Sequence, residues 1–207
     1  MRRFVVIGQR ATASPDFSLL DLPGTSGRLD VLLRCLRAAL LVSHGLRRDT
    51  MVYLVLLGGP RAPRTLRIDG RFVRFVRPDE RSLGGLVQKA LLRTPCDDQP
   101  AGEFVEHRAG IALARGGLDA ALADLGAMTP YVLEEGAPDV RGLELDPNDP
   151  AFFLGDHLGF DAPTRAALDA LGARPVGVGP VSVHADDAIT ILSNETDRRS
   201  ARAEAPR

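Results

Sequence analysis

Lysine and tryptophan are nearly missing from this 207-residue chain: Lys89 is the only lysine and there is no tryptophan. Positive charge is therefore carried by arginine, whose planar fork suits phosphate and carboxylate better than the point charge of an ammonium group. With 26 basic against 27 acidic residues the net charge is −1, so overall balance argues for no partner and any polyanion must be met by local charge. Cysteine is scarce too. Cys35 and Cys96 make neither a disulfide framework nor a metal set, and Cys35 sits among leucines, where it reads as a small buried apolar residue. His44, His107, His157 and His184 are scattered; each reads as a local hydrogen-bonding residue, and no metal is expected. No apolar run approaches the roughly 20 residues that span a bilayer, and MRRFVVIGQRATASPDF has too short an apolar core for a signal peptide. This points to the cytoplasm and away from membranes.

What is present alternates. Hydrophobic residues at 44% and charged residues at 26% are ordinary for a folded soluble domain, and the length suits one domain, read as 1–198 with a loose tail over 199–207. Short apolar runs predict strands at Phe4–Ile7, Met51–Leu57, Phe104–His107, Tyr131–Glu134, Phe152–Leu154 and Pro175–Val178. Helical spacing predicts helices at Arg28–His44, stopped by Gly45, and at Ser82–Arg93, Leu118–Leu125, Asp161–Leu171 and His184–Asp197. Asp69-Gly70 between Thr65–Ile68 and Phe72–Val76 reads as a hairpin. Apolar strands alternating with amphipathic helices imply an α/β fold, a mostly parallel sheet covered by helices on both faces.

Such sheets bind ligands beyond the carboxyl ends of their strands, where Gly155 and Gly177–Gly179 fall. Glycine lets backbone approach a ligand closely. A dinucleotide would require a glycine fingerprint with its pyrophosphate on the helix N-terminus. The spacing here is wrong, and Asp186 and Asp187 in the first helical turn would repel phosphate. A ligand with an adenine ring and a cation but no phosphate fits better, and S-adenosylmethionine is such a ligand. The alternative is a pair of ordinary strand-to-helix turns with acids as caps.

The segments GRLDVLLRC (27–35), RPDERS (77–82), YVLEEG (131–136), FFLGDHLGF (152–160) and VGPVSVHADDAITILSNETDR (178–198) together resemble the SPOUT-superfamily tRNA pseudouridine N1-methyltransferases best known from archaea. The resemblance covers nearly the whole chain in the expected order. It implies an α/β domain with a C-terminal trefoil knot, a homodimer, S-adenosylmethionine held in the knot, and methylation of N1 of pseudouridine at position 54 of tRNA. It also implies cofactor contacts at Leu133, Gly155, Val178, Gly179, Pro180, Val181, Ser182, Val183 and position 188. Many members have cysteine at that last position, where this chain has Ala188. Backbone groups and apolar walls would dominate such a site.

N1 of pseudouridine carries a proton, and a carboxylate within reach could remove it, a contribution of about 10²- to 10⁴-fold. The candidate is Asp30, with Arg28 and Arg34 gripping phosphate or base. Its i,i+4 spacing to Arg34 equally suits an exposed ion pair on the polar face of a helix. Asp79 and Arg81 are the second candidates, or they simply begin the following helix. From Arg61 to Arg81 seven arginines are interleaved with Phe72 and Phe75, a pattern that suits tRNA phosphates or, equally, edge protection. Two other functions fit the same residues: methylation of another RNA nucleotide, and RNA binding by a dimer that has lost catalysis.

Overall fold

The computed structural model describes residues 1–94, 98–146 and 148–204; Pro95, Cys96, Asp97, Pro147 and 205–207 lie outside the described residues. In chain order the elements are β1 (Arg2–Thr12), α1 (Leu22–Thr25), α2 (Leu29–Leu40), β2 (Leu41–Val42), β3 (Gly45–Leu46), β4 (Thr50–Gly58), β5 (Arg64–Asp69) and α3 (Glu80–Arg93). They continue with β6 (Val105–Arg108), β7 (Ile111–Arg115), α4 (Leu118–Leu125), β8 (Thr129–Leu133), β9 (Pro150–Gly155), α5 (Ala162–Ala170), β10 (Arg174–Val176) and α6 (Ala185–Glu204).

One sheet runs β10-β8-β9-β1-β4-β5-β7-β6. From β10 to β4 neighbouring strands are parallel; from β4 to β6 they are antiparallel. Side chains alternate across the central strand β1. Phe4 and Val6 face α2, α3 and α6 on one side, while Val5 and Ile7 join the core under α4 and α5 on the other, as a period of two requires. In α2 the leucines at 29, 32, 33, 36 and 40 are all fully buried, and each contributes about 1.5–3 kcal/mol relative to exposure.

Several expectations are corrected by long-range packing. Helix α2 ends at Leu40, and Gly45 lies in the small β2–β3 hairpin rather than at a helix stop. The hairpin expected around Asp69-Gly70 does not form: β5 pairs with β4 and with β7, a strand the apolar pattern did not single out, and 72–76 is irregular. Gly70 serves close approach instead, since a Cβ there would lie 2.1 Å from the carbonyl oxygen of Arg47. The segment expected to be loose from 199 onward is helical as far as it is described, because α6 runs on to Glu204. Arg199 fastens it, donating from Nη1 to the carbonyl of Leu143 at 2.6 Å and from Nη2 to that of Val140 at 2.7 Å.

Candidate functional site

A cavity of about 790 Å³ opens beyond the carboxyl ends of β8, β9 and β10. That is within the range of cofactor-sized sites. Leu133, Gly155, Val178, Gly179, Pro180, Val181, Ser182, Val183 and Ala188 all line it, together with Arg28 just before α2 and Arg34 within it. The structure thus gathers onto one surface residues that lie as far apart in the chain as 28 and 188.

The floor is held by backbone. A Cβ on Gly155 would sit 2.7 Å from the carbonyl carbon and oxygen of Gly159, so the turn after β9 closes only over glycine. Asp156 locks that turn, accepting from the amides of Gln9 at 2.9 Å and Leu158 at 2.8 Å, with its side chain wholly buried. The acid that follows the first glycine is therefore committed to the fold. On the other side the loop after β8 grips the segment after β10: the amide of Val140 donates to the carbonyl of Gly177 at 2.8 Å, and the amide of Gly177 to that of Pro138 at 2.9 Å. Gly179 differs from both. Its φ is +142° and a Cβ would meet nothing within 4 Å. Ser182 Oγ donates to Glu135 at 2.5 Å, tying the two loops together.

Asp30, the candidate base whose helical spacing equally suited an exposed ion pair, is only 1% exposed. Arg28 is the residue before α2 and adopts a left-handed conformation, φ 69° and ψ 30°, which turns its side chain back to donate from Nε and Nη2 to Asp30 at 3.1 and 3.3 Å. Arg34 Nη1 donates at 3.0 Å to Asp30 Oδ2, the oxygen that also accepts from Arg28 Nη2, and to Glu80 at 3.2 Å. Burial alone would raise the Asp30 pKa, but the hydrogen bonds and charges of the two arginines outweigh it and hold the carboxyl below its ordinary value. Asp30 is not among the residues lining the cavity; the two guanidiniums it holds are.

Asp79 and Arg81 are not brought to the cavity. Asp79 caps α3, accepting from the amide of Ser82 at 2.8 Å, and Arg81 is exposed. The residue of RPDERS that reaches a cavity-lining side chain is Glu80, through Arg34, a residue not singled out from the sequence. Capping chemistry contained the signal: an Asp three residues before a serine amide is occupied as an N-cap, which leaves the next acid as the one available to reach elsewhere. Glu134, paired with Arg165, and Asp186 also line the cavity. No group of acid, histidine and cysteine side chains suited to a metal ion exists among the described residues, and no described helix is long and apolar enough to cross a membrane.

An α/β sheet with a backbone-floored cavity past its parallel strands, walled by Leu133, Val178, Val183 and Ala188 and edged by guanidiniums, defines a small-molecule-binding α/β domain of the kind that uses nucleoside cofactors. The family described as "Putative SAM-dependent RNA methyltransferase" matches residues 1–201, and the chain belongs to it. A relative from Methanosarcina acetivorans is 42% identical over 207 residues, covering 100% of this chain and 96% of that protein. One from Halobacterium salinarum is 41% identical, with 95% and 96% covered. One from Methanocaldococcus jannaschii is 33% identical, with 96% and 98% covered. Each is named tRNA (pseudouridine(54)-N(1))-methyltransferase. Among solved structures, Nep1 of Archaeoglobus fulgidus bound to S-adenosylhomocysteine superposes with a TM-score of 0.65 at 16% identity, covering 97% of this chain and 99% of that one. The chain thus shares the fold of that protein, and the resemblance read from the motifs is borne out at the level of the family.

Proposed function

We propose that this protein transfers a methyl group from S-adenosylmethionine to N1 of pseudouridine at position 54 in the T loop of tRNA. What carries the reading is the convergence on one cavity of the glycine-floored, apolar loops and of Arg28 and Arg34, in a chain whose relatives share the whole of its length. The cavity suits an adenosine with a sulfonium better than a phosphate-bearing cofactor: its loops offer backbone groups and valines, and Asp186 stands at the start of α6 where a phosphate would otherwise sit. Leu133, Gly155, Val178 to Val183 and Ala188 would hold the cofactor, which when bound supplies an electrophilic methyl group.

The bound cofactor would supply the methyl group, with its sulfur as the leaving group, while the substrate has to give up the proton on N1. As that proton leaves, and before the new bond is complete, negative charge on N1 is shared with the ring carbonyl oxygens. Arg28 and Arg34, fixed by Asp30, are placed to neutralise that charge, a role that demands donors held in place beforehand. Asp30 is assigned to positioning rather than proton removal. Its oxygens already accept from guanidiniums and its proton affinity is lowered, which makes it a poor acceptor for the N1 proton.

The enzyme is further read as a cytoplasmic homodimer formed by a single domain. Val181 and Val183 line the cavity yet stay 71% and 40% exposed, which supports an apolar contact with a second copy over its mouth. The trefoil knot is supported by the grip of the 137–140 loop on Gly177 and by the return of Arg199 to the same loop. Single-turnover transfer from labelled S-adenosylmethionine to T-arm RNA carrying pseudouridine or uridine tests the function. Label on the pseudouridine RNA alone, recovered as N1-methylpseudouridine, is expected. Label on another nucleotide would redirect the substrate, and a folded chain that fails to bind the cofactor would be a non-catalytic RNA-binding protein.

A further inference from the structure

Phe75 is 89% exposed and sits in the left-handed backbone region at φ 59°. Both properties are costly for a large aromatic residue: it gains no burial, and its Cβ crowds the following carbonyl. The segment that carries it is nevertheless well anchored. Val73, two residues earlier, is fully buried, and Arg48 Nη1 donates to the carbonyls of Gly70 and Val73 at 2.7 and 3.0 Å. The ring is therefore presented outward by a fixed base. Phe72, 57% exposed, lies beside it in the chain with the Arg71 guanidinium 5.2 Å from its ring centre. Between Arg71 and Arg77 there are three arginines and no carboxylate, and Arg108 reaches the carbonyl of Arg74 from the neighbouring strand β6.

We propose that Phe75 is a stacking platform for an unpaired RNA base, with Arg74, Arg77 and Arg108 on the adjoining phosphates. This rests on the RNA reading above and names the element that would seize the loop. Exposed aromatics interleaved with arginines match single-stranded RNA, because every base offers a π-face and every linkage a negative charge. A second copy of the chain is a poor occupant, since a two-fold contact would set these arginines against their own counterparts.

The test is binding of a fluorescent T-arm stem-loop RNA, and of the same stem as a continuous duplex, to the wild-type chain and to Phe75→Ala, Phe75→Gly and Phe75→Trp. Loss of one stacked base weakens stem-loop binding by roughly tenfold or more. That loss is expected for Ala and Gly, with Trp close to wild type, duplex binding unmoved and the salt dependence unchanged because no charge is removed. Phe75→Gly should melt at or above the wild-type temperature, since glycine favours the left-handed backbone. Wild-type affinity for the stem-loop in Phe75→Ala and Phe75→Gly would overturn the proposal alone, as would dissociation of a dimer in either variant, which would make the ring a protein contact. Failure of the wild-type chain to bind any of the RNA would overturn the RNA reading and this inference with it.

Discussion

Arg34 of α2 donates to Glu80 of α3 at 3.2 Å while its same nitrogen is held by the buried Asp30. Two helices far apart in sequence are thereby joined at a guanidinium that lines the cavity. The arrangement makes the mouth of the site sensitive to acids that never enter it.

Asp30→Asn is expected to slow methyl transfer by about 10- to 100-fold through misplaced guanidiniums and to cost about 1–3 kcal/mol of stability through weakened charged hydrogen bonds. The pH–rate profile should keep its wild-type shape at a lower plateau; loss of a proton-transfer limb in single-turnover kinetics would instead make Asp30 the base. Because the folded pKa is lowered, the carboxylate stabilises the fold above its ordinary value of about 3.9. That contribution fades as pH falls through the lower, folded value. Urea melts should accordingly show the gap between variant and wild type closing only in acid.

Glu80→Gln should barely change stability, because both side chains of the pair are more than a third exposed and such pairs contribute about 0–1 kcal/mol. Its effect should fall on transfer rate, with cofactor affinity unchanged by calorimetry. A rate equal to wild type would show that Asp30 orients Arg34 unaided.

The two glycines of the site should respond differently. Gly155→Val drives a side chain into the Gly159 backbone and is expected to lower the melting temperature, so its loss of cofactor binding would say little about the cavity. Gly179→Ala meets no protein atom within 4 Å. Its expected cost is the backbone strain of about 1–3 kcal/mol, with S-adenosylmethionine affinity falling further than stability does. Calorimetry beside thermal melts separates the two.

Cys35 should resist iodoacetamide in the native protein and react once the chain is unfolded in urea. Burial in the α2 core pushes its thiol pKa far up, and the nearby charges of Asp186 and Asp156 add to the effect. Peptide mass spectrometry locates the adduct; native labelling at Cys35 would show that α2 opens readily.

Helix α4 at Leu118–Leu125, the buried runs of β1, β4 and β9, and the glycines beyond the strands were legible in the sequence because period and glycine chemistry are local. The cavity residues could be named from motifs of the chain, yet nothing local says that Leu133, Gly155 and Val178 to Val183 share one surface. That follows from parallel pairing of β10, β8, β9 and β1, segments separated by loops whose closure only the whole core can offset. Asp69-Gly70 carried a sound hairpin signal, but β7 competed for the same edge and the glycine was used against Arg47. Asp30 shows the sharpest division. Its spacing to Arg34 was visible in the sequence, whereas its burial, its second arginine in a left-handed turn and the reach of Glu80 were decided by α2 lying beside α3 and α6. Desolvation belongs to the packed neighbourhood rather than to the helix, and it converts a pair that helical spacing alone would leave on the surface into the anchor of the site.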